Sequence, residues 1–520
     1  MTSTFHSIET AKRSLFTQTA ALNTTGHNIA NANTEGYSRQ TVKMQASLPI
    51  EAYGMIRSTA PGQLGTGVEY QSVERIREGF LDIQYRSEFN ANGSWSIKSD
   101  TLDKLQGIFN EPSETGISKV LNNFWNSWSN LSKDPESASA RKVVKENAAA
   151  LTDAMNYMSG QLDKLSQDLT ANVGVKASEI QNYLTSIANL NQSITRIEGL
   201  GDKANDLRDQ RDLLTDKLSQ IINVNVVDTN QGYTIMMGGT SLVEGSQVMA
   251  DVDGNDATDR GNFLEDAFAS GNLTGGQVYG MIASRESYVK DYQKQLNDLA
   301  NTLANGDIQI TLPKGTVIPD GVTVNGLTGR TVTEDTVVTV KGLNGLHQLG
   351  YTLDGTTKGG LPFFESSKDG EPITAGNIRL NSKIAEDPNL IASSMRTEGT
   401  GADEKVIKGN NTMALLMANM KLTGFLSVDG KRNTTIDGYY NSLVGQLGVQ
   451  AQEAARQTQN SDVLVQQVEA QRQSVSGVSL DEEMSNLIKY QHAYGASARF
   501  MTTFDQLLDK LINSTGVVGR

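Results

Sequence analysis

The residues best suited to chemistry are few and scattered. The four histidines are His6, His27, His347 and His492. No two stand at metal-ligand spacing, and there is no H-E-x-x-H pattern. The chain has no cysteine, so thiol catalysis, thiolate metal sites and disulfides are excluded. There is no G-x-S-x-G elbow and no phosphate-cradling P-loop. The densest set of oxygen ligands is Asp251, Asp253, Asn255, Asp256 and Asp259. Its D-x-D-G-N-D opening looks like the start of a calcium loop. The twelfth residue counted from Asp251 is Asn262, where a bidentate glutamate should stand, and Gly254 comes too early. The run therefore reads as a solvated turn beside a strand. The expectation is a chain with no catalytic, cofactor-binding or metal-binding residues: not an enzyme, and without a cofactor.

The bulk numbers point the same way. The 520 residues suffice for several domains, and the formal charge is −14. An acidic chain is poorly suited to nucleic acid or to an anionic membrane surface. No stretch approaches the roughly 20 apolar residues of a membrane span. The N-terminus lacks the apolar core of a cleaved secretory signal. The expectation is no nucleic acid, no membrane insertion, and either a cytoplasmic chain or export by a route that cleaves nothing. Only 6% of residues are aromatic, which suits long, thin helical packing better than a thick core.

With little chemistry to position, the helices themselves become the functional elements. A helix is predicted from about Thr4 to Ala30, with Ile8, Leu15, Leu22 and Ile29 repeating every seven residues. The companion seam, Phe5, Lys12, Thr19 and Gly26, is mixed. At the other end Leu480, Leu487, Tyr494, Met501 and Leu508 hold one heptad position, and Met484, Gln491, Ala498, Asp505 and Ile512 the other. Ser479 fits an N-cap, followed by Asp481, Glu482 and Glu483, which complement the helix dipole. Neither helix is stable alone. Four buried aliphatic side chains give roughly 6–12 kcal/mol, while ordering about 25 residues costs on the order of 25–50 kcal/mol. On periodicity alone, an antiparallel helix pair closing one domain is the simplest reading.

Between the ends, Thr41–Gly67 reads as extended or irregular, and a helix is predicted over about Val73–Tyr85. Residues 94–222 are mostly helical, with apolar residues at three- and four-residue spacing, as in a bundle. Trp95, Trp125 and Trp128 are expected to anchor helix packing. NVNVVDT and GYTIMMG read as short strands, and helix returns over Val278–Leu303. Residues 306–401 hold five of the nine prolines and fifteen glycines, with alternating runs such as TVTEDTVVTVKG, so a β-rich insert is predicted there. Helix resumes near Asn410 and runs, with breaks, to about Ser474. The fold class is mainly α with a β-rich insert: terminal coiled-coil helices (1–50 and 478–520), an elongated helical-bundle domain (51–305 and 402–477, with a short β segment near 223–275) and an inserted, outward-facing β domain (306–401).

The segment TAALNTTGHNIANANTEGYSRQ, Thr19 to Gln40, resembles the axial-protein family of the bacterial flagellum, which comprises rod, hook and hook-associated proteins and flagellin. The signature residues are Asn28, Ile29, Ala30, Asn31, Asn33, Thr34, Gly36 and Tyr37. The flanking Thr-Gly-His and Ser-Arg-Gln are similar to hook-associated members found at the hook–filament junction. So are Gly67–Glu88 and the C-terminal SGVSLDEEMSNLIKYQHAYGASARFMTTFDQLLDKLIN. Glu35 stands where rod and hook proteins usually carry proline, and Gly495 interrupts a Tyr-x-Ala-x-Ala core at Tyr494, Ala496 and Ala498. The resemblance implies terminal helices that pack as coiled coils in the assembled flagellum, and a junction ring needed for filament assembly and motility. It implies four partners: self as a ring oligomer, hook protein, a second hook–filament junction protein, and a flagellar export chaperone at the C-terminal helix. It also implies an extracellular location on the flagellum, after type III export without a cleaved signal peptide. Another axial subunit (hook protein or flagellin), or a secreted adhesin or enzyme carried on flagellar-type ends, stays open as an alternative.

Overall fold

The computed structural model describes residues 5–49, 65–111, 113, 116–229, 232–254, 261–324, 327, 329–399, 401–426 and 433–513. In chain order these form α1 (His6–Ala30), β1 (Gln40–Ala46), β2 (Val68–Arg75), α2 (Gly79–Phe109), α3 (Ile117–Lys133), α4 (Ala138–Glu198) and α5 (Asn205–Ile221). A small meander follows: β3 (Asn225–Thr229), β4 (Gly232–Met237), β5 (Thr240–Glu244) and β6 (Gln247–Val248). Next come α6 (Asn262–Ala269), α7 (Gly276–Ala283), a π-helical turn at Ser284–Val289, and α8 (Lys290–Asn305). The insert contributes β7 (Asp307–Leu312), β8 (Thr336–Lys341), α9 (Gly342–Gln348), β9 (Phe364–Ser366), β10 (Ile378–Leu380), α10 (Ser382–Glu386) and β11 (Thr397–Glu398). The chain closes with β12 (Lys405–Val406), α11 (Thr412–Asn419), β13 (Phe425–Leu426), β14 (Asn433–Thr434), α12 (Ile436–Ser476) and α13 (Leu480–Asn513). The mainly α class with β-rich segments is as the sequence indicates.

Two compact units emerge, one of Met1–Ser94, Val173–Tyr279 and Thr458–Arg520, the other of Trp95–Asn172 and Gly280–Gln457. In the first, α1 packs on α13 and on the β1–β2 hairpin. The hairpin is antiparallel, running from Gln40 opposite Arg75 to Ala46 opposite Val68, with a bulge at Lys43/Met44. This corrects the helix predicted over Val73–Tyr85. Val68–Arg75 is a strand, because V-E-Y-Q-S-V-E-R suits a ribbon over α1, and helix begins only at Gly79. The two strands predicted after Asn223 are β3 and β4, and they continue into a four-stranded antiparallel meander.

The second unit has the denser apolar core. Phe124, Trp125, Trp128, Phe363 and Phe364 are buried in one aromatic cluster, with ring centroids 4.9–6.4 Å apart where the rings meet. Trp95 is instead half-exposed, with the Lys98 ammonium 4.5 Å from its ring. The insert is not purely β, since α9 and α10 interrupt it. Its main sheet has the order β14-β13-β7-β8, so two strands come from residues beyond 401. His347, the histidine of that segment, is fully buried. Its Nε2 accepts from Ala392 N at 2.8 Å while Nδ1 bonds Leu361 O, so both ring nitrogens are engaged. Burial pushes its pKa down to about 4.

Candidate functional site

The α1–α13 pair is antiparallel. Ser14 Oγ lies 2.7 Å from Ser497 Oγ, and Asn28 Nδ2 donates to Glu483 Oε2 at 3.1 Å. Of the predicted packing residues, Ile8, Leu15, Leu22, Ile29, Leu487, Met501 and Leu508 are half-buried, whereas Leu480 and Tyr494 are exposed. The residues of α1 that are fully buried are small or polar: Ala11, Thr17, Ala21, Thr25 and Asn28. Thr17 Oγ1 donates to Arg13 O at 2.9 Å, within its own helix.

The α1 companion seam, read as mixed, faces outward, and the α13 companion seam is corrected. Lys12, Thr19 and Gly26 are exposed, as is Phe5. On α13 Met484, Gln491, Asp505 and Ile512 are exposed and only Ala498 is half-buried. The inward positions are Glu483, Tyr490, Ser497 and Phe504, one residue earlier. The shift follows from Glu483. Its carboxylate is drawn inward to Asn28 and Arg39, which turns the first turn of α13 by one position. Ser479 caps α13 as expected, Glu482 N donating to its Oγ at 3.5 Å.

The signature residues divide into a hub and a surface. Asn28 uses both donors and both acceptor positions. Nδ2 donates to Gln40 O at 2.9 Å and to Glu483, while Oδ1 accepts from Gln40 N at 3.0 Å and from Tyr37 OH at 2.8 Å. One amide thus ties α1, the start of β1, the signature turn and the first turn of α13. Asn31 closes α1, its Nδ2 donating to His27 O at 3.1 Å, and it accepts from Thr34 Oγ1 at 3.2 Å. Gly36 has φ +79°, and a Cβ there would meet Leu213 Cβ at 3.0 Å, so glycine is required twice over. Ala30, Asn33 and Thr34 are exposed. Arg39 completes the hub, with Nε donating to Glu483 Oε1 at 2.8 Å and Nη1 to Glu482 Oε2 at 2.7 Å.

Beneath the hub lies a buried network that the sequence reading missed. Asp209, Asp212 and Asp216 project from one side of α5, at spacings of three and four residues. Arg75 Nη1 reaches Asp209 at 2.7 Å and Asp212 at 3.0 Å. Arg77 forks onto Asp82 at 2.7 and 3.0 Å and lies 3.5–3.9 Å from the three α5 carboxylates. Arg86 Nε and Arg472 Nη1 each donate to Asp216 at 2.6 Å, and the Arg472 guanidinium stacks 4.2 Å from the Tyr85 ring. Ser38 N, directly after the signature, donates to Asp209 Oδ2 at 2.9 Å. Burial alone would lower the Arg77 and Arg86 pKa values. The neighbouring carboxylates more than offset it and hold both above the usual guanidinium range. Burial raises Asp212, but Arg77, Arg75, Arg211 and Arg86 together hold it below the usual carboxylate range. The available signal was Asp206-x-x-Asp209-x-x-Asp212-x-x-x-Asp216 on one helix, facing arginines at 75, 77 and 86. Tyr37, half-buried above the network, is pushed well up by burial and by Asp206, Asp209 and Glu483.

Beside the signature loop a cleft of about 600 Å³ opens, with Tyr85, Phe89, Tyr183 and Leu213 on its walls and Lys217 and Glu35 at its rim. Elsewhere, Asp251 Oδ1 accepts from Gly254 N at 3.1 Å, closing the turn expected there, and Asp253 accepts from Ser178. Asn255, Asp256 and Asp259 lie outside the described residues. Among the described residues no group of three or more histidine, aspartate or glutamate side chains is arranged to hold a metal ion.

The comparisons with known proteins follow this division of the chain. Residues 8–37, which span α1 and the signature turn, match the family described as flagella basal body rod protein. Residues 469–514, the end of α12 with α13, match flagellar basal body rod FlgEFG protein C-terminal, and residues 102–306 match flagellar hook-associated protein FlgK helical domain. Over 539 aligned residues the chain is 35% identical to flagellar hook-associated protein 1 of Bacillus subtilis (strain 168), covering 100% of both. The chain belongs to the flagellar hook-associated protein 1 family. Members from Salmonella typhimurium and Escherichia coli (strain K12) are each 26% identical to it, over 95% and 97% of this chain and 97% and 99% of theirs. The solved flagellar hook junction protein FlgK from Burkholderia pseudomallei shares the fold, with a TM-score of 0.53 at 17% identity over 77% of this chain and 100% of that one. In this chain the hub and network join the segment matching the rod-protein family to the one matching the rod C-terminal family.

Proposed function

We propose that this chain is a structural subunit of the bacterial flagellum that forms the junction between hook and filament and is required for filament assembly and motility. The observation that carries the reading is the full-length similarity to flagellar hook-associated protein 1, with both rod-type terminal segments present. The mechanism is mechanical. Copies assemble as a ring through the terminal helices, with Ile8, Leu15, Leu22, Ile29, Leu480, Leu487, Tyr494, Met501 and Leu508 supplying axial packing. One face of the ring meets hook protein and the other a second junction protein, while residues 306–401 face outward.

The α1–α13 pair supports this reading because it leaves apolar surface uncovered. Leu480, Met484 and Ile488 at the start of α13, and Leu507, Leu511 and Ile512 at its end, are all about half-exposed or more. Before assembly such a face needs cover, which is the role assigned to an export chaperone on α13. Export proceeds through the flagellar type III apparatus without cleavage. Among the described residues no helix is long and apolar enough to cross a membrane.

Deletion of the gene, with electron microscopy of the cells and a flagellin assay of the medium, tests the reading. Hooks without filaments, with flagellin lost to the medium, are expected. Cells lacking hooks would move the chain to the rod or hook, and intact working filaments would overturn the axial reading.

A further inference from the structure

We propose that the exposed face of α1 in one copy seats in the cleft beside the signature loop of a second copy, with Phe16 entering between Tyr85, Phe89 and Tyr183. The inference rests on self-assembly as proposed above and names the two surfaces that meet. Glu9, Lys12, Phe16, Thr19, Asn23, Gly26 and Ala30 are all exposed and recur every three or four residues, forming one continuous face opposite the α13 seam. At about 1.5 Å per residue this face runs roughly 30 Å. Its large apolar residue within the helix is Phe16, 62% exposed. Beside Gly26 there is open space where another backbone can approach closely.

The cleft has the complementary character. Its aromatic walls are half-exposed, with Tyr85 and Phe89 at 5.3 Å between centroids, and its volume exceeds that of one phenyl ring, leaving room for part of a helix turn. An aromatic anchor in such a pocket is the usual centre of binding energy. The rim carries both charge signs in exposed positions. Glu35 and Lys217 meet at only 3.4 Å, with side chains 72% and 41% exposed, a pair weak enough to exchange partners. On α1, Lys12 and Glu9 lie one and two turns before Phe16, and they offer the opposite charges to Glu35 and Lys217.

The chain's own α1 cannot be the occupant. Phe16 lies fourteen residues before the end of α1, so the helix rise puts it on the order of 20 Å from the signature turn of its own chain. A closed ring requires two different, complementary patches on each subunit, and the convex α1 face and the concave cleft form such a set.

The chain has no cysteine, so introduced pairs report contacts without background. Phe16→Cys in one copy and Lys217→Cys in another, co-expressed and oxidised on assembled flagella, should give a cross-linked dimer that neither variant gives alone. The doubly substituted chain should give a ladder. Lys12→Cys with Glu35→Cys is a second pair that leaves Phe16 in place. Swimming and the flagellum-bound fraction of the unsubstituted chain test the junction reading separately. If junctions form and neither pair cross-links, the docking is wrong. Cross-linking of Phe16→Cys to hook protein, to a second junction protein or to another Phe16→Cys overturns it equally.

Discussion

Asp216 takes two of the shortest ion pairs of the buried network, and its removal has a calculable consequence. Its side chain is 5% exposed and takes Arg86 and Arg472 at 2.6 Å each, with Arg77 at 3.9 Å. Asp216→Asn keeps the shape but removes the anion. Arg77 retains Asp82, Arg472 keeps Glu469 at 3.0 Å and Asp82 at 3.6 Å, and Arg86 keeps only Asp212 at 3.9 Å. Stripping one partner from a buried ion pair costs about 3–5 kcal/mol, because the other charge stays desolvated. A domain has about 5–15 kcal/mol in total, so much of the local stability should go. Hydrogen exchange is the suitable assay, since it reads α5 amides directly and needs no two-state assumption for a chain of two units. Protection of α5 should fall by about two to three and a half orders of magnitude, since each 1.4 kcal/mol is tenfold. Lys217→Ala, next in sequence with a solvated partner, should change it by less than about 0.5 kcal/mol. In a cycle with Arg86→Gln the double variant should lose less than the sum of the singles. If Asp216→Asn costs no more than Lys217→Ala, the network does not hold this unit together.

Other perturbations follow from the same geometry. Asn28→Ala leaves the Gln40 backbone, Tyr37 OH and one Glu483 oxygen short of partners, and should cost about 2–4 kcal/mol, read as early exchange at the start of α13. Gly36→Ala adds backbone strain at φ +79° to the 3.0 Å approach of Leu213. About 2–3 kcal/mol is expected, measured as a lowered urea midpoint. His347 makes the second unit acid-sensitive. Its pKa falls from 6.5 in the unfolded chain to about 4 in the fold, so the folded state binds fewer protons. Its contribution is complete above pH about 6.5, is lost as the pH drops towards 4, and totals about 3 kcal/mol. Melting temperatures between pH 7 and 4.5 should show this slope in the parent chain, and a shallower slope in His347→Gln.

Where periodicity carries meaning, the sequence was legible. The helix pattern of Ile8 to Ile29 gives α1 to within two residues, and NVNVVDT and GYTIMMG give β3 and β4. Over Val73–Tyr85 two periods compete. Ile76, Phe80, Leu81 and Ile83 favour a helix, but the alternation before Arg75 prevails because β1 is there to pair with it. The seam of α13 was misjudged by one residue because apolar Met484 outranks acidic Glu483 in any hydrophobic pattern. The structure buries the acid, since Asn28 and Arg39 satisfy it.

The same inversion hides the network. Asp-Leu-Arg-Asp-Gln-Arg-Asp reads as a solvated helix face, and its burial depends on arginines more than a hundred residues earlier and on Arg472 about 250 later. A buried ion pair contributes little net stability compared with a well-packed apolar contact, but a mismatched one is severely penalised. In a chain poor in aromatics that penalty has a use. Apolar stripes such as Ile8–Leu15–Leu22–Ile29 tolerate sliding by a heptad, whereas Glu483 against Asn28 and Arg39, and Asp216 against Arg86 and Arg472, admit one register. Charges thus set which surfaces of the first ninety and last sixty residues meet, and the apolar faces left over remain available to other subunits.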